Sequence, residues 1–221
     1  DDSKENVIKR LISLHGRINN DLIKRGHFGK KDCDAEAIRG LKNILIPEHF
    51  HMQDMRGRTV GDFDRLVKMY KKVDCVIVDY LQLVDASGYN SERLAFNAFL
   101  LKAKELAREK NCGMVILSQM TRDSASLDKN GRVRPPMMHE LKGTGAAEQD
   151  SQVVILLHWD WFYHKDDEIC PRWEYKMRVE KNKNGETGSV KCYYYPQYYK
   201  ISEVPLEGEH ESYTPTQKET R

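Results

Sequence analysis

The chain has 221 residues, 39% of them hydrophobic and 32% charged, which suits one core of ordinary size under a well-solvated surface. Lysine and arginine number 36 against 34 acidic residues, a formal +2, so a globally basic surface is excluded and any nucleic-acid contact must be local. No apolar run reaches the ~18 residues of a membrane helix, which argues against a membrane partner.

Taken in chain order, Val7, Ile8, Leu11, Ile12 and Leu14 recur at helical spacing and predict an amphipathic helix over residues 3–15, ended by Gly16. A second helix is predicted over Asp34–Leu45, stopped by Pro47. "HFHMQD" reads as a short extended piece. Thr59 and Asp62 then stand at cap and third-residue spacing, which marks another helix start. Val76–Asp79 is a short apolar strand that reads as fully buried, followed by the polar loop "DASGYNSER". A long helix over Leu94–Lys110 carries Leu94, Leu100, Leu101 and Leu106. Two more apolar runs follow, "GMVILSQ" and "SQVVILLHW".

Short β-branched runs alternating with helices predict an α/β fold with a mostly parallel sheet covered on both faces. The end of the chain differs. "YKMRVEKNKNGETGSVKCYYYPQYY" alternates and turns at Asn184-Gly185, which predicts an antiparallel hairpin. Residues 203–221 are polar and predict a disordered tail. The five cysteines, Cys33, Cys75, Cys112, Cys170 and Cys192, form no CxxC pair, so reduced thiols are expected rather than a disulfide frame or a zinc site.

In an open α/β sheet, ligands bind at the carboxyl ends of the strands. Asp79 ends one strand and Ser118-Gln119 ends the next, so a shared ligand is expected there. An aspartate after four apolar strand residues suits a Mg²⁺–nucleotide site. A helix cap or a buried ion pair is the local alternative for Asp79, and surface hydrogen bonding is the alternative for Gln119. Lys142, Gly143, Thr144 and Gly145 form a glycine-flanked stretch before the third run, where backbone N–H groups and one ammonium could meet a phosphate. An ordinary flexible loop would read the same way. Lys181 and Lys183, two apart on an extended chain, would point to one side and suit a polyphosphate, unless they line a solvated hairpin face.

Four segments, "VIVDYLQLV", "LAREKNCGMVILSQMTR", "RPPMMHELKGTGAAEQDSQVVILL" and "EKNKNGETGSVKCYYYPQYY", stand in the order and spacing of one family. Together they resemble the RecA-like ATPase domain of DnaB-family replicative helicases, over about residues 50–199. The resemblance implies a hexameric ring that hydrolyses ATP or another NTP with Mg²⁺ and moves on single-stranded DNA. It also implies a primase or helicase loader as partner, and a cytoplasmic location at the replication fork of a bacterial or phage-infected cell. By position, Asp79 is similar to the family's Mg²⁺-holding Walker B aspartate, and Gln119 to its terminal-phosphate sensor. Lys142–Gly145 resembles the DNA-gripping pore loop, and Lys181 the lysine that reaches a neighbour's phosphates.

Four departures accompany the resemblance. Lys183 occupies the place of an arginine finger, keeping the charge without the planar fork. Lys142-Gly143 replaces Arg-Glu, and Trp159 follows the third strand where arginine is common. No GxxxxGK[ST] occurs, and "HFGKK" at 27–31 lacks the upstream glycine spacing and the hydroxyl. The resemblance therefore implies that the P-loop, its strand and the catalytic glutamate precede Asp1. Residues 1–202 would then be the C-terminal portion of such a domain, inactive alone, with some sheet strands left unpaired. Two rivals stay open: another RecA-like ATPase of recombinase type, and a non-catalytic DNA-binding or assembly module.

Overall fold

A computed structural model describes residues 3–26, 49–121, 126, 127, 129, 132–141, 145–165 and 171–206. In chain order the elements are α1 (Lys4–Gly16), α2 (Asn20–Lys24), α3 (Val60–Met69), β1 (Cys75–Val78), α4 (Glu92–Lys110), β2 (Gly113–Ile116), α5 (Gly145–Asp150), β3 (Val153–His158), α6 (Asp160–Tyr163), β4 (Glu174–Asn182), β5 (Gly188–Tyr195) and β6 (Lys200–Ser202). Strands β1 and β2 form a parallel pair, and a second sheet has the order β3-β4-β5-β6. The chain divides into two compact units, one of Asp1–Ser3, Pro47–His158 and Arg178–Ser189, the other of Lys4–Ile46, Trp159–Met177 and Val190–Arg221.

The core of the first unit follows from two helix starts. Thr59 caps α3 through its hydroxyl, which accepts from the Asp62 N–H, while the Asp62 carboxylate accepts from the Thr59 N–H at 2.9 Å. Hydrogen bonds to that carboxylate, from the Thr59 N–H first and then from the Thr59 hydroxyl and Arg65, pull the Asp62 carboxyl down to about 2. Ser91 caps α4, and Asn111 closes it in the left-handed conformation at φ 52°. The two helices bury Val60, Phe63, Val67, Phe96, Phe99, Ala103 and Leu106 together with Leu81, and Val76, Val78, Met114 and Ile116 of β1 and β2 pack against that cluster. Phe63 and Phe99 meet with ring centroids 4.5 Å apart.

Two expectations change here. The long helix begins at Glu92, and its inner stripe is built on Phe96 and Phe99, while Leu94 and Leu101 are 48% and 52% exposed. A leucine count does not locate the stripe, because at 100° per residue Leu94 and Leu101 share a face that Phe99 does not. The parallel strands are also not buried on both faces. Side chains in β1 and β2 alternate, and Ile77 is 69% and Val115 50% exposed, because α3 and α4 cover only the face carrying Val76, Val78, Met114 and Ile116. Strand β3 repeats the pattern, with Val154, Leu156 and His158 buried and Val153, Ile155 and Leu157 exposed. Residues 49–54, read as extended, form neither strand nor helix.

The hairpin expected at Asn184-Gly185 joins β4 to β5, and a Cβ on Gly185 would stand 2.8 Å from Asn182 Nδ2. In the second unit the Ser13 hydroxyl is buried and donates to the Ile18 carbonyl at 2.7 Å. Tyr195 is fully buried, and its hydroxyl accepts from the Leu206 N–H at 2.7 Å. Trp159 donates through Nε1 to the Arg172 carbonyl at 2.8 Å and meets Tyr194 edge-on, which gives it a packing role. The aromatic block "CYYYPQYYK" thus contributes core to this unit. Strands β5 and β6 pair antiparallel with Tyr194 opposite Ile201. The predicted helix Asp34–Leu45 and most of the predicted tail, 207–221, lie outside the described residues.

Candidate active site

Strands β1 and β2 run parallel in the register Val78 opposite Ile116, so the residues that follow them leave the sheet at one edge. Pairing continues beyond the strands: the Leu117 N–H donates to the Val78 carbonyl and the Leu81 N–H to the Leu117 carbonyl, both at 2.9 Å. Asp79 and Ser118 therefore stand on adjacent chains at the carboxyl edge, the expected place for a ligand in an α/β sheet. Asp79 is exposed, in contrast to the strand-end charge in a buried run that the sequence suggested.

Gln82 joins the two chains. Its amide nitrogen donates to Ser118 Oγ at 3.0 Å, and its amide oxygen accepts from the Gln119 N–H at 3.1 Å. One carboxylate, one hydroxyl and two amides form the edge. Among the described residues no group of three or more His, Cys, Asp or Glu side chains could enclose a metal ion. This donor set fits Mg²⁺, which is commonly held by one or two carboxylates, waters and the phosphates of a bound nucleotide.

The model of the DnaB-like helicase C-terminal domain matches residues 1–203. This chain belongs to the DnaB-like helicase C-terminal domain family. It is 28% identical over 206 residues to the replicative DNA helicase DnaB of Geobacillus stearothermophilus, covering 90% of this chain and 43% of that protein. It is 27% identical over 212 residues to a probable replicative DNA helicase of Trieres chinensis, covering 92% and 45%. The chain thus spans less than half the length of these curated relatives. Among solved structures, a DnaB-like replicative helicase studied with its interactions with primase is similar at a TM-score of 0.78 and 26% identity, over 91% of this chain and 49% of that one. The ATPase domain of G40P has the same TM-score at 24% identity, over 93% and 72%, and speaks for the fold alone. The fold is the RecA-like α/β class expected from the sequence.

The remaining residues singled out in the sequence lie as follows. Lys142, Gly143 and Thr144 lie outside the described residues, and Gly145 opens α5. Met120 and Leu141 form an isolated antiparallel bridge, and the Thr121 N–H donates to the Glu140 carbonyl at 2.8 Å. Glu140 is buried, paired through both oxygens with Arg134, and accepts from the Met137 N–H at 2.8 Å. The Arg134 guanidinium, first through its hydrogen bonds, holds the Glu140 carboxyl below its ordinary value.

Lys181, near the end of β4, donates to the carbonyls of Glu148 and Gln149, the latter at 3.0 Å, and so secures the end of α5. Lys183 lies past the strand in the turn, exposed, with its N–H donating to the Gln152 carbonyl at 2.9 Å. The expected strand register between the two lysines does not extend to Lys183, because β4 ends at Asn182. Gln82, Arg134 and Glu140 are residues the sequence reading passed over. Gln82 lies inside the quoted "VIVDYLQLV", but its partners are 36 and 37 residues away.

Proposed function

We propose that this chain is the nucleotide- and DNA-handling portion of a replicative DNA helicase that couples NTP hydrolysis to movement on single-stranded DNA and to duplex unwinding. One observation carries the reading: in a member of the DnaB-like family, Asp79, Ser118 and Gln119 leave adjacent parallel strands at the same sheet edge, on backbones joined by hydrogen bonds. In this reading Asp79 holds Mg²⁺, largely through water, and Ser118 and Gln119 contact the phosphates. The bound metal and nucleotide supply the charge neutralisation and the phosphoryl group. Lys142–Gly145 grips the DNA backbone, and Lys181 and Lys183 act toward the nucleotide of a neighbouring subunit in a homo-hexamer. A primase or loader would meet this assembly at the replication fork. The separation of β2 from β3 into different sheets, each with an exposed apolar face, suits a domain completed by further strand and helix.

Unwinding of a forked duplex by the full-length protein, dependent on NTP and lost in Asp79→Asn, is the test. Hydrolysis without strand separation would favour a recombinase-type ATPase. Single-stranded DNA binding with neither hydrolysis nor unwinding would favour a non-catalytic module.

A further inference from the structure

Gln82 has a place in this site that its position in the sequence does not suggest. It is the middle residue of a 3₁₀ turn, Leu81–Leu83, whose first residue is completely buried in the core and whose N–H is fixed to the Leu117 carbonyl. The turn is therefore a rigid base. From it the half-buried Gln82 side chain crosses to the neighbouring chain and engages Ser118 Oγ and the Gln119 N–H at 3.0 and 3.1 Å. Both partners belong to the segment that leaves β2 toward the edge where Asp79 stands.

We propose that Gln82 is a positioning residue: its planar amide clamps the Ser118-Gln119 backbone to the turn after Asp79, so that metal-holding and phosphate-contacting groups keep one geometry. The proposal rests on the reading of Asp79, Ser118 and Gln119 as a nucleotide site. The chemistry selects the side chain. One planar group must donate to a hydroxyl and accept from a main-chain N–H at once, which an amide does and a carboxylate or ammonium does not. Asparagine is a methylene shorter, so it cannot span the same gap from the same Cα. Gln82 need not touch the reacting phosphate. Its effect passes through the backbone of Gln119, where a displacement of about 1 Å can cost on the order of a hundred-fold in rate.

The test uses the full-length protein and two readouts. The first is hydrogen exchange of the Gln119 amide, which depends on the clamp and not on turnover. Gln82→Met, which keeps length and volume while removing both hydrogen bonds, should speed that exchange roughly ten-fold or more as the amide loses its partner. Unchanged exchange overturns the clamp, whatever the activity. The second is a double-mutant cycle on NTP hydrolysis. Gln82→Met should lower kcat between roughly ten- and a hundred-fold with KM nearly unchanged, and should add nothing in a Gln119→Ala background, since both changes disable the same unit. Effects that multiply, or a Gln82→Met variant with normal kcat, overturn the positioning role. A failure of the site reading itself looks different: Asp79→Asn and Gln119→Ala would then both leave hydrolysis intact, and the catalytic part of the proposal falls with it. Gln82→Ala repeats the cycle if the methionine variant does not fold.

Discussion

Met120 and Leu141 face each other as an isolated antiparallel bridge, so the residue after Gln119 pairs with the residue before Lys142. The proposed phosphate-contacting residue and the proposed DNA-gripping loop are thereby each one residue along the chain from the same bridge. Arg134 and Glu140 fasten the far side of that junction.

Removing one partner of this pair leaves a buried charge without its counter-ion. Arg134→Ala should destabilise the protein by about 3 kcal/mol, the lower end expected for a buried pair because the arginine is partly exposed. Thermal or urea unfolding measures it, and a change below about 0.5 kcal/mol would mark the pair as ordinary surface.

Acid should release the same contact. The Glu140 carboxyl is held below its ordinary value in the folded protein, so the unfolded chain binds its proton more readily. The pair's stabilisation is thus fully present above the ordinary carboxylate range and is lost as pH falls through the lower folded value. Unfolding free energies measured between about pH 6 and pH 3 should fall more steeply for the native protein than for Glu140→Gln, which has no proton to take up. Parallel curves would remove Glu140 from the acid response.

Asp79 is exposed and makes no contribution to the core, so Asp79→Asn should leave the unfolding midpoint nearly unchanged. Hydrolysis should nevertheless drop by about a hundred-fold or more, because a neutral amide holds Mg²⁺ poorly. Near-normal turnover in the variant would end the metal assignment.

Lys183 offers a test of action between subunits. Exposed in a turn, it should tolerate Lys183→Ala with a stability change within about 0.5 kcal/mol. If it serves a neighbour's terminal phosphate, the same change lowers kcat steeply with little change in nucleotide affinity, and Lys183→Arg raises turnover because a guanidinium fork matches the spread charge better. Mixed rings of Lys183→Ala and Asp79→Asn subunits should recover part of the activity. Mixed rings that form and stay inactive would confine both residues to one subunit.

Lys142→Ala should weaken single-stranded DNA binding and reduce the slope of log affinity against log salt by about 0.7, the value for one phosphate contact on a single strand. An unaltered slope would turn the loop away from DNA.

What the sequence disclosed divides by distance along the chain. The Thr59–Asp62 box and the Asn184-Gly185 turn were legible because each is closed by neighbours within a few residues, and the chemistry of cap and turn is local. The place of Asp79 and Ser118 at one sheet edge could be expected from the apolar runs, because Asp79 follows β1 directly and Ser118 stands two residues past β2. Ile77 was misread because a strand's composition records its affinity for a core and not which neighbours cover it. Lys181 was legible as a cation, but its attachment to the Glu148 and Gln149 carbonyls depends on the placement of α5 against β4. Gln82 and the Arg134–Glu140 pair required three-dimensional proximity that neither periodicity nor motif spacing encodes.

The uncovered face of β1 and β2 has a consequence for handling the molecule. Ile77 and Val115 lie side by side on a two-stranded sheet whose β2 edge, among the described residues, has no second strand beside it. Such a surface is a template on which another extended chain gains both main-chain hydrogen bonds and dry aliphatic contact. With a formal charge of only +2 to keep copies apart, the colloidal behaviour of this polypeptide will be governed by concentration and by what shields that strip.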